Sequence, residues 1–254
     1  MKKQNINTQC PDINAVYAEG TVCEEGTAAS ATDRFDGLAV MRSLEADLCT
    51  CLSDYEKVHK ELAILLLGAD RSESNMGNLL YRKFEDLLIV PVIFRELGED
   101  CRTAVKIRCD WTDIWNVDRE KVISDAIENA ANVLPPSFGL VSKALLEITG
   151  NEDDEAPWSG AEMYFLTNVT NLYGASAIFY PFIPWIITEE LKSDFFILPS
   201  SVHEVIILPD HGEDPGELAG IVKEINRTVV SPQEILTDSV YHYRQSDCRI
   251  RRVC

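Results

Sequence analysis

At 254 residues, 46% of them hydrophobic, the chain has enough apolar surface for one large domain or two small ones. Its 23 Lys and Arg stand against 42 Asp and Glu, a net charge of −19, which opposes non-specific attraction to phosphate backbones and anionic lipid; no nucleic acid and no membrane is expected as a partner. The one basic stretch, Arg244 to Arg252, reads as part of a solvated C-terminal tail over 246–254.

Met1-Lys2-Lys3 is followed by the polar run Gln4 to Gln9 and then by no apolar core, so no export signal is read and a cytoplasmic location is expected. The longest apolar runs, Leu87 to Phe94 and Gly174 to Ile187, are too short to span about 30 Å of hydrocarbon. The eight cysteines are thinly spread: Cys49 and Cys51 flank Thr50, Cys248 and Cys254 lie near the end, and none makes a Cys-x-x-Cys or paired zinc spacing. They read as structural or incidental, and no cofactor and no metal is expected.

Residues 1 to about 34 are rich in Asn, Thr, Gly, Ala and Glu without a sustained period, which predicts loose order. Phe35, Leu38, Met41, Leu44 and Leu48 then recur at helical spacing over 35–50. The segment 1–45 is therefore expected to be poorly ordered or partly helical, ahead of a single α+β domain over 46–245. Ser53-Asp54-Tyr55-Glu56 has the form of a capping box, and Val58, Leu62, Leu65 and Leu66 predict a helix from there to Gly68. A polar loop follows over 70–78. Asp86 to Phe94 reads as a buried strand, with Pro91 opposing a central position, and Cys101 to Cys109 as a second strand. Asp110 to Trp115 is a short helical step in which Trp111 and Trp115 share a face, core packing being the default for such a pair. Asp118 then caps a helix to about Leu134, burying Val122, Ala126, Ile127, Ala130 and Val133, and Pro135-Pro136 ends it.

Beyond it, 139–148 predicts a short helix and Glu152-Asp153-Asp154-Glu155 a solvated acidic loop without calcium-loop spacing. Met163 to Thr167 and Ala175 to Tyr180 read as strands of a hairpin, and 183–192 as a helix with Pro184 in its first turn. Phe195 to Leu198 and a second strand opened by His203-Glu204 and running to Pro209 form a second hairpin around Pro199-Ser200-Ser201. Asp214-Pro215-Gly216-Glu217 and Ser231-Pro232-Gln233-Glu234 each signal a helix start, and Val240 to Tyr243 a closing strand. Hairpins interleaved with single helices point to an α+β fold, a mostly antiparallel sheet with helices packed on one face.

Asp54-Tyr55-Glu56-Lys57-Val58, Asp86-Leu87-Leu88-Ile89-Val90, Trp115, Asn129 with Pro135, Tyr180-Pro181, Leu198-Pro199-Ser200-Ser201-Val202-His203-Glu204-Val205 and Val240-Tyr241 occur in the order and near the spacing of one large bacterial domain-of-unknown-function family. Over about residues 50 to 244 the chain resembles that family, with Pro-Ser-Ser-x-His-Glu as the most specific stretch. The resemblance implies a member with a shortened front, and Phe182 stands where the family more often has Gly after the Tyr-Pro pair. It implies a fold neighbourhood and leaves the function open.

His203 and Glu204 are adjacent, so on a strand they face opposite ways and do not act on one atom. The structural reading makes His203 a hydrogen-bonded turn residue, with Ser200 and Ser201 capping local backbone groups. The chemical reading makes Ser200, Ser201, His203 and Glu204 a ligand or partner contact, with Asn168 and Tyr173 reaching in from the neighbouring hairpin. The Gly-x-Ser-x-Gly elbow of serine hydrolases and the His-Glu-x-x-His helix of zinc proteases are both absent, and Gly212 to Gly216 is too acidic to cradle phosphate. His203 with His211 is a weak two-histidine metal pair. The expected function is a non-enzymatic binding or regulatory module meeting a protein or small molecule; the alternative is a hydrolase using the His203/Glu204 turn, with or without a metal.

Overall fold

A computed structural model describes residues 54–72, 76–96, 102–144, 162–199 and 201–254. The expected helix at 35–50, the capping Ser53 and the acidic loop 152–155 lie outside these residues, as does the whole of the segment 1–45.

Asp54 caps α1 (Tyr55–Val58), its carboxylate accepting the Glu56 amide at 3.1 Å. The helix expected to run on to Gly68 ends there. A 3₁₀ turn at His59–Glu61 leads into strand β1 (Leu62–Gly68). Leu62, Leu65 and Leu66 are spaced for one helical face, but Ala63 and Ile64 between them are equally buried. A short run apolar on every side suits a strand covered on both faces, and periodicity alone does not separate it from a helix.

β1 pairs antiparallel with β3 (Leu87–Glu96) along its whole length, from Leu62 opposite Ile93 to Gly68 opposite Leu87. The other edge of β3 is shared by β2 (Arg82–Phe84) and β4 (Arg102–Lys106). β3 is thus central despite Pro91. Its ladder partners change from β2 to β4 after Ile89, and the Pro91 carbonyl, on the same side as the missing amide, accepts the Ile107 amide at 3.0 Å. The proline sits where no ladder bond is lost.

A helical turn, α2 (Ala69–Ser72), follows β1, and α3 (Cys109–Trp115) buries Trp111 and Trp115 edge to face at 6.1 Å. Asp118 caps α4 (Arg119–Val133), accepting the amides of Glu120 and Lys121 at 2.9 and 3.3 Å. Val122, Ile123, Ala126 and Ala130 are buried, with Ile127 and Val133 packed at the margin. Asn129 donates to the carbonyls of Lys60 and Leu62, and Tyr55 to Asp125 at 2.6 Å, so α4 grips the entry to β1 from both sides.

The second sheet has the order β10-β9-β7-β8-β6-β5, antiparallel throughout. Its strands are β5 (Pro136–Leu140), β6 (Tyr164–Asn168), β7 (Phe195–Leu198), β8 (Val205–Pro209), β9 (Tyr241–Arg244) and β10 (Arg249–Arg252). Four expectations are corrected here. Residues 139–140 belong to β5, and of the helix placed at 139–148 only 141–144 is helical, 145–148 lying outside the described residues. Gly174–Phe179 is a 3₁₀ helix, not a strand, because Gly174, Ala175, Ser176 and Ala177 bury small side chains all round instead of alternating. β6 therefore pairs with β5 and β8. The Ser231 to Glu234 signal makes only a turn, closed by Glu234 N–H to Ser231 O at 2.9 Å. Residues 249–252, expected in a tail, close the sheet as β10.

α5 (Ile183–Leu191) carries Pro184 in its first turn, and α6 (Pro215–Thr228) is capped by Asp214 at the Glu217 amide, both as the sequence signals. Alternation divides the second sheet. Phe195, Ile197, Val205, Ile207, Tyr241 and Tyr243 join the main core with β1, β3 and α4, whereas Phe196, Leu198 and Leu208 pack with Leu218 and Val222 of α6. The fold is α+β and antiparallel as expected, distributed over two sheets sharing one core.

At the end of β1, a methyl group on Gly68 would overlap the Leu236 carbonyl, while Gly220 in α6 faces open space. Gly68→Ala is expected to lower the unfolding free energy by about 3 kcal/mol, the upper range for overpacking. Gly220→Ala should raise it by about 0.8 kcal/mol, the helix-propensity difference. Urea melts of the two variants check both signs.

Candidate functional site

The β7–β8 connection brings together several of the residues singled out in the sequence. Ser201 bridges to Ile235 and its hydroxyl accepts the His203 amide at 3.0 Å; Ser200 lies outside the described residues. The His203 carbonyl accepts the Thr167 hydroxyl at 2.8 Å, and the ring stacks on Tyr173 at 5.8 Å. Its Nδ1 accepts the Tyr173 amide at 3.4 Å, which places the proton of the neutral ring on Nε2, 3.6 Å from Glu234 Oε1. Asn168 is fully buried and spends its side chain on its own loop, donating to Leu172 O and accepting from the amide and hydroxyl of Thr170. Gly174 has no room for a side chain between Thr167, Asn168 and the His203 carbonyl. Burial raises the Tyr173 phenol, with the Glu234 charge adding to it.

Asn168, Tyr173, Ser201 and His203 thus meet, chiefly by bonding backbone groups. Glu204 does not join them. It is exposed and has no hydrogen bond or ion pair among the described residues. His203 and Glu204 precede β8 instead of opening it, and His211 stands exposed beyond the other end of that strand, which is itself about 17 Å long. Among the described residues no group of three or more His, Cys, Asp or Glu is placed to hold a metal ion.

A second polar centre was not singled out as a site in the sequence. Asp86, in the β2–β3 turn, accepts the hydroxyls of Thr237 at 2.5 Å, Ser239 at 2.7 Å and Tyr241, with Arg252 Nη1 3.7 Å away. Burial alone would raise this carboxyl, but the hydroxyls of Ser239, Thr237 and Tyr241 together hold it below the usual carboxylate range. Tyr241 is raised in turn, by burial first and then by Asp86. A polar cleft of about 370 Å³, lined by Asp70, Thr237, Asp238 and Ser239, opens beside it. Asp86 and Tyr241 both lie in family motif stretches, but 155 residues apart nothing in the chain joins them.

The third feature is apolar. A groove of about 880 Å³ runs between the 3₁₀ helix with the start of α5 on one side and β2 with the β9–β10 hairpin on the other. Phe84, Phe179, Phe182, Trp185, Tyr243 and Ile250 line it, Phe84 meeting Phe179 edge-on at 5.0 Å. Phe182 has φ +66°, in the left-handed region that costs a non-glycine residue about 1–2 kcal/mol. The residue is nonetheless 76% exposed, with Trp185 47% and Ile186 50% exposed beside it. Tyr243 is pushed up to about 12 by burial, then by its hydrogen bond with Cys248, whose exposed free thiol also borders the groove. A sequence signal existed: Phe182, Ile183, Trp185, Ile186 and Ile187 supply more apolar side chains than one helix face can bury.

A core shared by two antiparallel sheets, a hydrogen-bonded histidine turn and an aromatic groove define the class of domain. The chain belongs to the family described as a family of unknown function (DUF5688), whose profile matches residues 13–245. The match begins well before residue 50, where the motif resemblance started, and stops short of β10. No characterised protein and no solved structure matches the chain.

Asp86→Asn should lower the unfolding free energy at neutral pH by about 2 kcal/mol, the value of a hydrogen bond to a charged group. A carboxyl held low in the folded state contributes stability above its unfolded value of about 3.9 and loses it as pH falls through the folded one. The gap between wild type and variant in urea melts should therefore close on acidification below about pH 4. Phe182→Gly should raise the unfolding free energy by about 1 kcal/mol through relief of the left-handed backbone, as read by thermal and urea melts.

Proposed function

We infer that the protein is a non-enzymatic binding or regulatory module that takes up apolar side chains of a partner protein in the aromatic groove. Phe182 carries the reading: backbone strain is retained to hold an aromatic ring in water at the groove mouth. Monomeric proteins seldom keep large contiguous apolar patches without a use, and Phe182, Trp185 and Ile186 extend the groove as such a patch. The groove lies open beside an edge strand, which suits a segment of polypeptide. The His203 turn supports this reading rather than a hydrolase, because Nδ1, the carbonyl and the amide of His203 are engaged in local bonds while Glu204 is exposed and has no hydrogen bond or ion pair among the described residues. No helix among the described residues is long and apolar enough to cross a membrane. The acidic composition and the family resemblance support a bacterial, cytoplasmic setting.

Nile red, a neutral apolar dye, is a direct probe of the groove. The native protein is expected to enhance and blue-shift its emission, and Phe182→Ala combined with Trp185→Ala to remove most of that response. Melting temperature should change little, since both rings are exposed. A dye response unaltered by the double variant overturns the groove as the binding site. Turnover of a nitrophenyl ester that disappears in His203→Ala would replace the reading by the hydrolase one.

A further inference from the structure

Among the described residues β10 forms one edge of the six-stranded sheet and is bonded on one side, to β9. The register puts Arg249 opposite Arg244 and Arg251 opposite His242 on the face that α6 covers elsewhere in the sheet. Ile250 opposite Tyr243 and Arg252 opposite Tyr241 lie on the other face, toward the main core and the groove. Arg244, Arg249, Arg251 and Arg252 place four cations within nine residues of a chain whose net charge is −19. Arg251 is paired with Asp247 and Arg252 lies near Asp86, but Arg244 and Arg249 have no ion pair or hydrogen bond among the described residues.

We propose that β10 is a docking edge for an extended segment of a partner protein in which acidic and apolar residues alternate, added as a further strand of the sheet. The backbone of such a segment satisfies the outward N–H and C=O groups of β10. Its acidic side chains fall on the Arg249 and Arg251 face, and its apolar ones on the Ile250 face, where they enter the aromatic groove. Alternation on a strand delivers both sets at once, and neither the groove nor the arginines alone would ask for it.

Charge on an edge strand ordinarily blocks sheet-to-sheet association. Here it does so selectively. Two β10 edges from two copies would set arginine against arginine, which is unfavourable across a strand pair, whereas Asp or Glu at the same positions is favourable. The overall negative charge of the chain opposes an acidic partner only at long range, and salt screens that beyond about 8 Å at physiological ionic strength. β10 also lies past residue 245, where the family match ends, so the edge belongs to a part of this chain that the match does not describe.

The proposal rests on the groove reading for its apolar half, and the test separates the two. A fluorescently labelled synthetic peptide of alternating glutamate and valine is titrated with the full chain and followed by anisotropy. Wild type is expected to bind it and to bind the lysine–valine counterpart at least ~10-fold more weakly, a difference typical of local charge complementarity. Arg249→Glu with Arg251→Glu, both exposed and thus compatible with folding, should reverse that preference. Methylation of alternate backbone amides in the peptide should abolish binding. Equal binding of the two peptides, indifference to the charge reversal, or no binding at all overturns the edge proposal and leaves the Nile red result standing. Charge-dependent binding that survives Trp185→Ala upholds the edge and removes the groove from it.

Discussion

Asp86 sits in the turn between β2 and β3, and its carboxylate is filled by three hydroxyls that all come from the segment leading into β9 of the other sheet. A carboxylate removed from water is costly unless it is hydrogen-bonded, and here three donors offset that cost. Tyr241 remains protonated because burial and the Asp86 charge both oppose its ionisation, so the contact stays a donor–acceptor pair. The consequence is positional. The same bond that joins the sheets sets the Tyr241 ring on Phe84 at 6.1 Å, and Phe84 is part of the groove wall. Arg252 reaches the same carboxylate, so the junction also fixes the direction in which β10 leaves the core.

Polar and apolar resources are spent differently in the two halves of the second sheet. Around the β7–β8 connection, Asn168, Ser201 and His203 satisfy backbone groups of irregular chain, which is what a buried loop requires. The 3₁₀ helix and the Glu234 turn are both pinned there, through Val202 to Ala175 and Glu234. Around α5 the aromatic side chains are left without cover. Phe182 caps α5 in a left-handed conformation and points outward, although a glycine would meet the backbone demand without strain. The histidine turn bonds backbone groups of the scaffold, and Phe182, Trp185 and Ile186 stay exposed.

The elements read correctly from the chain are those encoded within a few residues. Asp118, and Asp214 before Pro215, announced α4 and α6, Pro184 marked the start of α5, and the branched runs of β3, β7 and β8 stood out by composition. Caps and fixed proline geometry act over one turn, so no distant contact is needed to interpret them. Leu62 to Leu66 failed that test, because leucines at helical spacing are also compatible with a strand buried on both faces. Only the covering by α4 on β1 decides between the two. Ala175 to Tyr180 failed similarly, since small side chains permit close packing in any backbone geometry.

The candidate site shows the same division more sharply. The His203 turn was legible because its residues are contiguous, and Asn168 and Tyr173 because β6 leads straight to them. Asp86 with Tyr241, 155 residues apart, and the groove, whose four contributing segments reach from Phe84 to Ile250, were not legible. By itself the sequence determined the charge of the chain, its antiparallel α+β character, the helix starts at Asp118, Pro184 and Asp214, and the local chemistry of the histidine turn. The tertiary structure decided which surfaces meet, and with that the buried carboxylate, the aromatic groove and the arginine edge. The physical reason is range: capping and alternation are energies of neighbours, whereas a pocket or an edge exists only once distant surfaces have been brought together and their burial has outweighed the entropy of ordering the chain.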